Sequence, residues 1–173
     1  MLVLPVGEAP HRTMEGDPGA EVRARLCEHA VEGDSRFEVS RAEVERSGPS
    51  YTVDTLRLLG SRLPDDQLTV ILGADQASRL ASWHEPETVL SLARVAVAAR
   101  EGIEREAVMR HIHGLAGSDS VAFFDMPRVD ISSSLVRRRA ASGRPIRYLL
   151  PDKVADHVEA EGLYGATPAV RAR

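Results

Sequence analysis

The sequence has one cysteine, few aromatic residues and no excess of positive charge. Cys27 is the only cysteine among the 173 residues, and aromatic residues make up 4% of the chain. A single cysteine excludes an internal disulfide and fits the reducing cytoplasm. The net charge of -4 argues against nucleic acids and acidic membranes as general partners, because binding to them relies on surplus Lys and Arg.

Long apolar runs and several familiar catalytic motifs are missing as well. Residues 1–6 are too few for a signal peptide and carry no basic flank, and no later run approaches the ~20 apolar residues of a membrane span. The lack of G-x-S-x-G and P-loop motifs argues against acyl transfer and P-loop phosphotransfer. His111 and His113 have no matched ligand spacing, so we expect no protein-held metal.

What the sequence does contain is an alternation of short aliphatic segments with stretches of helical periodicity. The predicted strands are 2–5, 37–44, 68–72, 95–99 and 121–124. The predicted helices are 18–31, one that begins within GPSYTVDTL (48–56) and ends at Leu63, and 85–92, 104–115, 132–141 and 151–161. Parallel strands need crossover helices, so this order predicts a parallel α/β sheet in one compact domain.

Three local features sharpen this outline. Asp17 is a candidate N-cap of the first helix, and Thr52 or a nearby serine can cap the second. The run 68–72 is apolar throughout, which is typical of a strand buried on both faces of a parallel sheet.

The segment ISSSLVRRR is the first candidate ligand site. Ser132, Ser133 and Ser134 lie where the chain enters a helix, and Arg137 follows one turn later. Free N–H groups, the helix dipole, hydroxyls and a guanidinium together favour a phosphate. An ordinary N-cap followed by a solvated basic face explains the same pattern equally well.

Further candidates follow strands or begin helices. Gly73 and Asp75 follow the run 68–72, at the carboxyl end where open α/β sheets bind ligands, although Asp75 could merely cap the next helix. The turn GPSYT could hold a carboxylate at the N–H groups of a helix start, or could only cap that helix. Trp83 lies among polar residues, so it either stacks on a heteroaromatic ring or anchors a loop.

Several segments, taken in order, resemble the bacterial nicotinate-nucleotide adenylyltransferases: APHR, the helix with Arg23 and Leu26, ERSGPSYTVDTL, LGAD, Trp83, ISSSLVR, YLLPDKV and EGLY. The resemblance spans about 2–164 and implies one adenylyltransferase domain over 1–164 with a flexible tail over 165–173. It also implies a Rossmann-like nucleotidyltransferase fold, with helices on both faces of a parallel sheet.

The resemblance implies an enzyme of NAD biosynthesis that transfers AMP from ATP to nicotinate mononucleotide and releases pyrophosphate. Magnesium would accompany ATP and screen its phosphates. The residues that match the mononucleotide side are His11, Arg12, Tyr51, Thr52 and Trp83. Those that match the ATP side are Gly73, Asp75, Ser132, Ser133, Ser134 and Arg137.

One departure from the family concerns its catalytic turn. The family begins with GG-x-F-x-P-x-H-x-GH, whose histidines contact the ATP phosphates, and this sequence contains no such motif. We therefore assign no catalytic residue, and we expect the chain as given to lack a first βα unit of ~30 residues and to turn over poorly. An internal translation start would explain this, and an in-frame motif in the upstream sequence would support it.

Two alternatives remain open from the sequence. An adenylyltransferase for nicotinamide mononucleotide or pantetheine phosphate would share the fold, although GPSYT and Trp83 favour the acid substrate. A noncatalytic remnant that binds pyridine nucleotides would lack the histidine turn, as this chain does. The sequence does not decide whether the protein forms a homo-oligomer.

Overall fold

The computed structural model describes residues 1–10, 16–99, 105–127 and 129–166. These residues belong to two compact units, one formed by Met1–Ser50 and Asp130–Arg173 and the other by Tyr51–Val129. Each unit is described by itself, and the single domain over 1–164 stays a prediction. His11 and Arg12, and the tail beyond Ala166, lie outside the described residues. Within the described ranges, no helix has the length and apolarity to cross a membrane.

Strands and helices alternate along the chain. The strands are β1 (Leu2–Val3), β2 (Glu38–Val39), β3 (Thr69–Gly73), β4 (Arg94–Ala99) and β5 (Ala122–Asp125). The helices are α1 (Ala20–Val31), α2 (Thr52–Arg62), α3 (Ala74–Ala77), α4 (Pro86–Leu92), α5 (Arg105–Ile112), α6 (Ser133–Ala141) and α7 (Asp152–Ala160). Single 3₁₀ turns occupy Leu80–Ser82, Ser118–Ser120 and Leu163–Gly165.

The first unit pairs β1 with β2, and its helices α6 and α7 contribute to one core. The two strands run parallel, with Leu2 opposite Glu38 and Val3 opposite Val39. The core of this unit contains Val136, Ala140, Ile146, Val154, Ala155 and Val158, with Leu26 of α1 packed against it. Its helical members recur four residues apart, which is the spacing that places apolar side chains on one face of a helix.

The second unit is built on a parallel three-stranded sheet with the order β3, β4, β5. Val95 and Val97 of the central strand are fully buried. They belong to a core that also contains Val53, Leu56, Ala74, Leu80, Val89, Val108 and Ile112. The predicted class, a parallel α/β fold of the Rossmann type, is confirmed.

The expectation that 68–72 is buried on both faces is wrong. Val70 and Leu72 pack against the core, whereas Ile71 between them is 51% exposed. The reason is that successive side chains of β3 point to opposite faces of the sheet, and the face that carries Ile71 is only partly covered. An apolar run therefore need not mean two covered faces.

Both predicted capping residues are also wrong. The N-cap of α1 is Gly19, because the helix begins two residues later than predicted, and Asp17 accepts a hydrogen bond from the Gly19 N–H instead. The N-cap of α2 is Tyr51, and Thr52 is already the first helical residue. The start of α1 lies two residues after the predicted one, and α2 begins one residue too early for Thr52 to cap it.

The other predicted elements are present with shifted ends. The strand predicted over 37–44 shortens to two residues, since its partner β1 also offers only two. The helices predicted over 85–92, 104–115 and 151–161 are present as α4, α5 and α7, each shorter than predicted. Periodicity thus located these elements, whereas pairing partners and caps set their ends.

Candidate functional site

The start of α2 carries two of the predicted mononucleotide residues. Tyr51 has an extended backbone, and its carbonyl accepts hydrogen bonds from the Thr55 N–H at 3.3 Å and the Thr55 hydroxyl at 3.4 Å. Thr52 begins the helix, so its N–H has no acceptor within the helix. The free N–H groups of this first turn, with the positive end of the helix dipole, can hold a carboxylate.

The turn that contains Trp83 adjoins this helix start. The Trp83 N–H donates to the Leu80 carbonyl at 3.0 Å, which closes the 3₁₀ turn before it. The half-buried Trp83 side chain packs against the same core as Tyr51. The rings of Tyr51 and His84 lie 4.4 Å apart between centroids, inclined by 36°. The structure therefore brings Tyr51, at the start of α2, and the Trp83 segment together within one unit.

Glu85 completes this turn in an uncommon conformation. Its φ of 48° and ψ of 60° lie in the left-handed region, which bulky residues rarely adopt. Two guanidinium nitrogens of Arg57 donate hydrogen bonds to the Glu85 carboxylate, at 3.2 Å and 2.6 Å. The Thr88 hydroxyl donates to the same carboxylate at 3.2 Å. The Arg57 hydrogen bonds hold the pKa of Glu85 below its usual value.

Gly73 and Asp75 lie where β3 gives way to α3. Because the three strands are parallel, Gly73 shares the carboxyl edge of the sheet with the ends of β4 and β5. A Cβ on Gly73 would lie 2.7 Å from an Asp75 carboxylate oxygen, so the glycine makes room for that side chain. The capping alternative for Asp75 is wrong, since Gly73 is the N-cap and the exposed Asp75 is the second helical residue.

The predicted phosphate segment lies at the start of α6 in the first unit. Ser132 is the N-cap, and its hydroxyl accepts a hydrogen bond from the Leu135 N–H at 3.1 Å. Ser133 and Ser134 form the first helical turn and are exposed. Arg137 donates to the Ser134 hydroxyl at 3.3 Å. Capping is thus confirmed for Ser132, and it leaves the Ser133 and Ser134 N–H groups unused by the helix.

Arg137 borders a cavity of about 300 Å³. Its guanidinium carbon lies 5.8 Å from the ring centroid of Tyr164, within the range of a cation–π contact. Burial raises the pKa of the Tyr164 hydroxyl. The cavity is lined by Leu26, Val154 and Val158 on its apolar side and by Ser132 and Ser133 on its polar side. A guanidinium beside unpaired N–H groups and hydroxyls is suited to an anion.

A third part of the structure fixes the chain that follows β1. The Ser50 hydroxyl accepts hydrogen bonds from the N–H groups of Gly7 at 3.1 Å and Glu8 at 3.2 Å. The Ser50 N–H donates back to the Glu8 carbonyl at 2.8 Å. Ser50 belongs to the sequence GPSYT, so its hydrogen bonds link this serine to the residues just before APHR.

Arg23 of α1 holds both ends of the same segment. Its guanidinium donates to the Val6 carbonyl at 2.9 Å and the Gly7 carbonyl at 2.7 Å, and it pairs with the Asp17 carboxylate. Only 19% of the Arg23 side chain is exposed. Burial raises the pKa of Asp17, but the hydrogen bonds from Arg23 and the Gly19 N–H outweigh burial and leave the pKa below its usual value.

The lowered pKa of Asp17 gives an expected pH dependence. The free energy of unfolding should gain from the ionised Asp17 at pH values above its unfolded pKa, and this gain should vanish as the pH falls through the lower folded pKa. Urea denaturation of Asp17→Asn and the unaltered chain would show it, with stabilities that differ at pH 7 and converge as the pH is lowered through the folded pKa of Asp17. A difference that persists or grows under acid would contradict the assignment.

Sequence reasoning missed the roles of Arg23, Ser50 and Glu85. Arg23 occurs on a helix face and Ser50 inside a recognised turn, but neither pattern reveals that the side chain reaches across more than ten residues. The left-handed backbone of Glu85 leaves no mark in the sequence, because such positions usually carry Gly or Asn. The ion pair between Arg57 and Glu85 forms only in the folded unit, so the sequence does not reveal it.

Comparison with known proteins shows a family and several close relatives. The model of the cytidylyltransferase-like family matches residues 1–139. A protein of Thermomicrobium roseum named probable nicotinate-nucleotide adenylyltransferase is 37% identical over 172 residues, covering 98% of this chain and 79% of its own. Proteins of the same name from Geobacillus thermodenitrificans and Roseiflexus are 38% and 39% identical, covering 96% and 95% of this chain and 73% and 82% of their own.

Solved structures resemble the fold. Plasmodium falciparum nicotinic acid mononucleotide adenylyltransferase complexed with NaAD superposes with a TM-score of 0.74 at 15% identity, covering 97% of this chain and 83% of that one. The same enzyme complexed with APC gives 0.67 at 16% identity, covering 88% and 79%. At this level of identity, the likeness supports the α/β fold alone.

Proposed function

Because this chain belongs to the cytidylyltransferase-like family and, within it, to the nicotinate-nucleotide adenylyltransferases, we propose that it transfers AMP from ATP to nicotinate mononucleotide in NAD biosynthesis. The observation that carries the proposal is identity of more than a third over nearly the whole chain. The chain is therefore a nucleotidyltransferase, and its two candidate ligand regions fit a carboxylate-bearing ring and a phosphate.

The mononucleotide side of the proposal rests on the second unit. The nicotinate carboxylate would lie at the free N–H groups of the α2 start, beside Tyr51 and Thr52, and its ring would stack on Trp83. The contact between the Tyr51 and His84 rings supports this, because it holds the two segments side by side. His11 and Arg12, outside the described residues, complete the proposed set by resemblance.

The ATP side is proposed from the resemblance, which assigns to it one set of residues at the α6 start and a separate set at the end of β3. Ser132, Ser133, Ser134 and Arg137 would hold the phosphates, and Gly73 with Asp75 would contact the nucleotide. A phosphate oxygen of the mononucleotide attacks the α-phosphorus of ATP, a new P–O bond forms, and the bond to pyrophosphate breaks. The attacking oxygen is already anionic, so positioning and charge stabilisation suffice without a general base.

Magnesium enters the proposal as a companion of ATP. Over the described residues, no group of three or more His, Cys, Asp or Glu side chains could hold a metal ion. Mg²⁺ is commonly held by substrate phosphates with one or two carboxylates rather than by a protein cage. The residues present therefore fit a cation that arrives on ATP, where it would neutralise charge on the phosphates.

The proposed partners are small molecules, ATP and nicotinate mononucleotide. A cytoplasmic location belongs to the same proposal, because one cysteine suits a reducing compartment and ATP is available there. The net charge of -4 supports the absence of nucleic acid from this set.

Binding of the acid and amide mononucleotides tests the proposed substrate. Trp83 is the only tryptophan, so its fluorescence reports directly on the proposed ring site. Nicotinate mononucleotide should quench Trp83 with a dissociation constant about 10-fold to 100-fold lower than that of nicotinamide mononucleotide, because a hydrogen-bonded charge contributes about 1.5–3 kcal/mol. Equal affinities would refute the acid preference, and an absence of response to either would refute the proposal.

A further inference from the structure

The turn after Trp83 contains a backbone conformation that favours glycine but carries a glutamate. Glu85 has a φ of 48°, and residues in this region persist only where their surroundings hold them. Three side-chain hydrogen bonds do so, two from Arg57 and one from Thr88. The Glu85 side chain does not cap α4, so helix capping does not explain its presence.

The two ends of this ion pair lie on the two segments that form the proposed pyridine site. Arg57 lies on α2, between one and two turns after Thr52, and Glu85 directly follows Trp83 and His84. The stacking of Tyr51 on His84 joins the same two segments. The α2 start and the Trp83 turn are thus tied at two points, one aromatic and one ionic.

Stability alone is a poor explanation for the pair. The side chains of Arg57 and Glu85 are 47% and 37% exposed, and ion pairs this exposed contribute little to folding. The left-handed backbone of Glu85 is itself unfavourable. A strained Glu85 held by a pair that adds little stability indicates that the pair serves to fix the position of the turn.

We infer that Arg57 and Glu85 are positioning residues, which hold the Trp83 turn against the start of α2 so that the pyridine ring and its carboxylate are bound together. The inference rests on the proposed function for its ligand. It adds two residues that would touch neither substrate and would act through Trp83 and Thr52.

Replacing Glu85 by glycine separates positioning from folding. Glu85→Gly removes the carboxylate and relieves the left-handed strain, so Tm should stay unchanged or rise. The dissociation constant of nicotinate mononucleotide, read from Trp83 quenching, should rise about tenfold (roughly 1.4 kcal/mol). Without ligand, acrylamide should quench Trp83 about twofold more efficiently, because the indole is no longer fixed.

Arginine variants provide the matched control. Arg57→Met should raise the same dissociation constant about tenfold, whereas Arg62→Met, on the last turn of the same helix, should leave it unchanged. Glu85→Gln keeps an acceptor for Arg57 and should restore part of the affinity lost in Glu85→Gly.

The outcomes distinguish this inference from the proposed function. If the unaltered chain responds to nicotinate mononucleotide and both Glu85→Gly and Arg57→Met bind it within twofold as well, the positioning role is wrong. If the unaltered chain does not respond, the proposed function is wrong, and acrylamide quenching then decides the positioning role. Unchanged acrylamide quenching in both variants would overturn it.

Discussion

Gly7→Ala should lower the free energy of unfolding by about 3 kcal/mol, as expected for severe overpacking. A Cβ at this position would lie 2.1 Å from the Glu43 carbonyl oxygen and 2.8 Å from its carbon. Both are backbone atoms, so the clash can be relieved only by moving the chain. That movement would disturb the hydrogen bonds that join Gly7 and Glu8 to Ser50. Urea denaturation followed by circular dichroism would measure the loss.

The chain offers a matched control for this substitution in Gly60 of α2. A Cβ on Gly60 meets nothing within 4 Å, and alanine suits a helix better than glycine. Gly60→Ala should therefore raise the stability by about 0.5–1 kcal/mol. An unchanged urea midpoint in Gly7→Ala would show that Gly7 does not approach the Glu43 backbone this closely.

Arg137→Ala should weaken ATP binding about 10-fold to 100-fold. The half-buried guanidinium lies between the Ser134 hydroxyl and the Tyr164 ring, beside the free N–H groups of α6. A hydrogen bond to a charged group contributes about 1.5–3 kcal/mol, which corresponds to this range. Titration calorimetry with ATP at fixed salt would measure the change.

Two further variants define what that result means. Arg138→Ala removes an exposed charge from the same helix and should change ATP affinity little. Arg137→Lys keeps the charge but loses the planar guanidinium, so its affinity should fall between the two. Equal losses in Arg137→Ala and Arg138→Ala would show that only net charge matters. The Trp83 response to nicotinate mononucleotide should persist in all three, since neither Arg137 nor Arg138 is among the residues proposed for the mononucleotide side.

Much of the fold follows from the sequence, because apolar periodicity reports burial. Val95 and Val97 lie in a continuous apolar run and are fully buried in the central strand. The same reasoning fails for Ile71, since a run of apolar residues does not reveal whether both faces of a strand are covered. Which neighbour covers a strand depends on the assembled sheet rather than on local sequence.

The structure brings predicted site residues together where a helix start and its candidate ligand groups are contiguous in the chain. Ser132 and Arg137 are five residues apart, so helical geometry alone places them on neighbouring turns. Contacts over longer distances in the chain were missed. Arg57 reaches Glu85 across 28 residues and Ser50 reaches Gly7 across 43, and no local pattern encodes either.

The contacts of Arg23 at both ends of the segment after β1 bear on how far the length of that segment can vary. With Val6 and Gly7 fixed at one end and Asp17 at the other, the positions at which the segment leaves and rejoins the fold do not depend on its length. Doubling the length of a flexible loop costs only about 0.6 kcal/mol in closure entropy. A longer or shorter segment between these anchors should therefore cost little folding free energy.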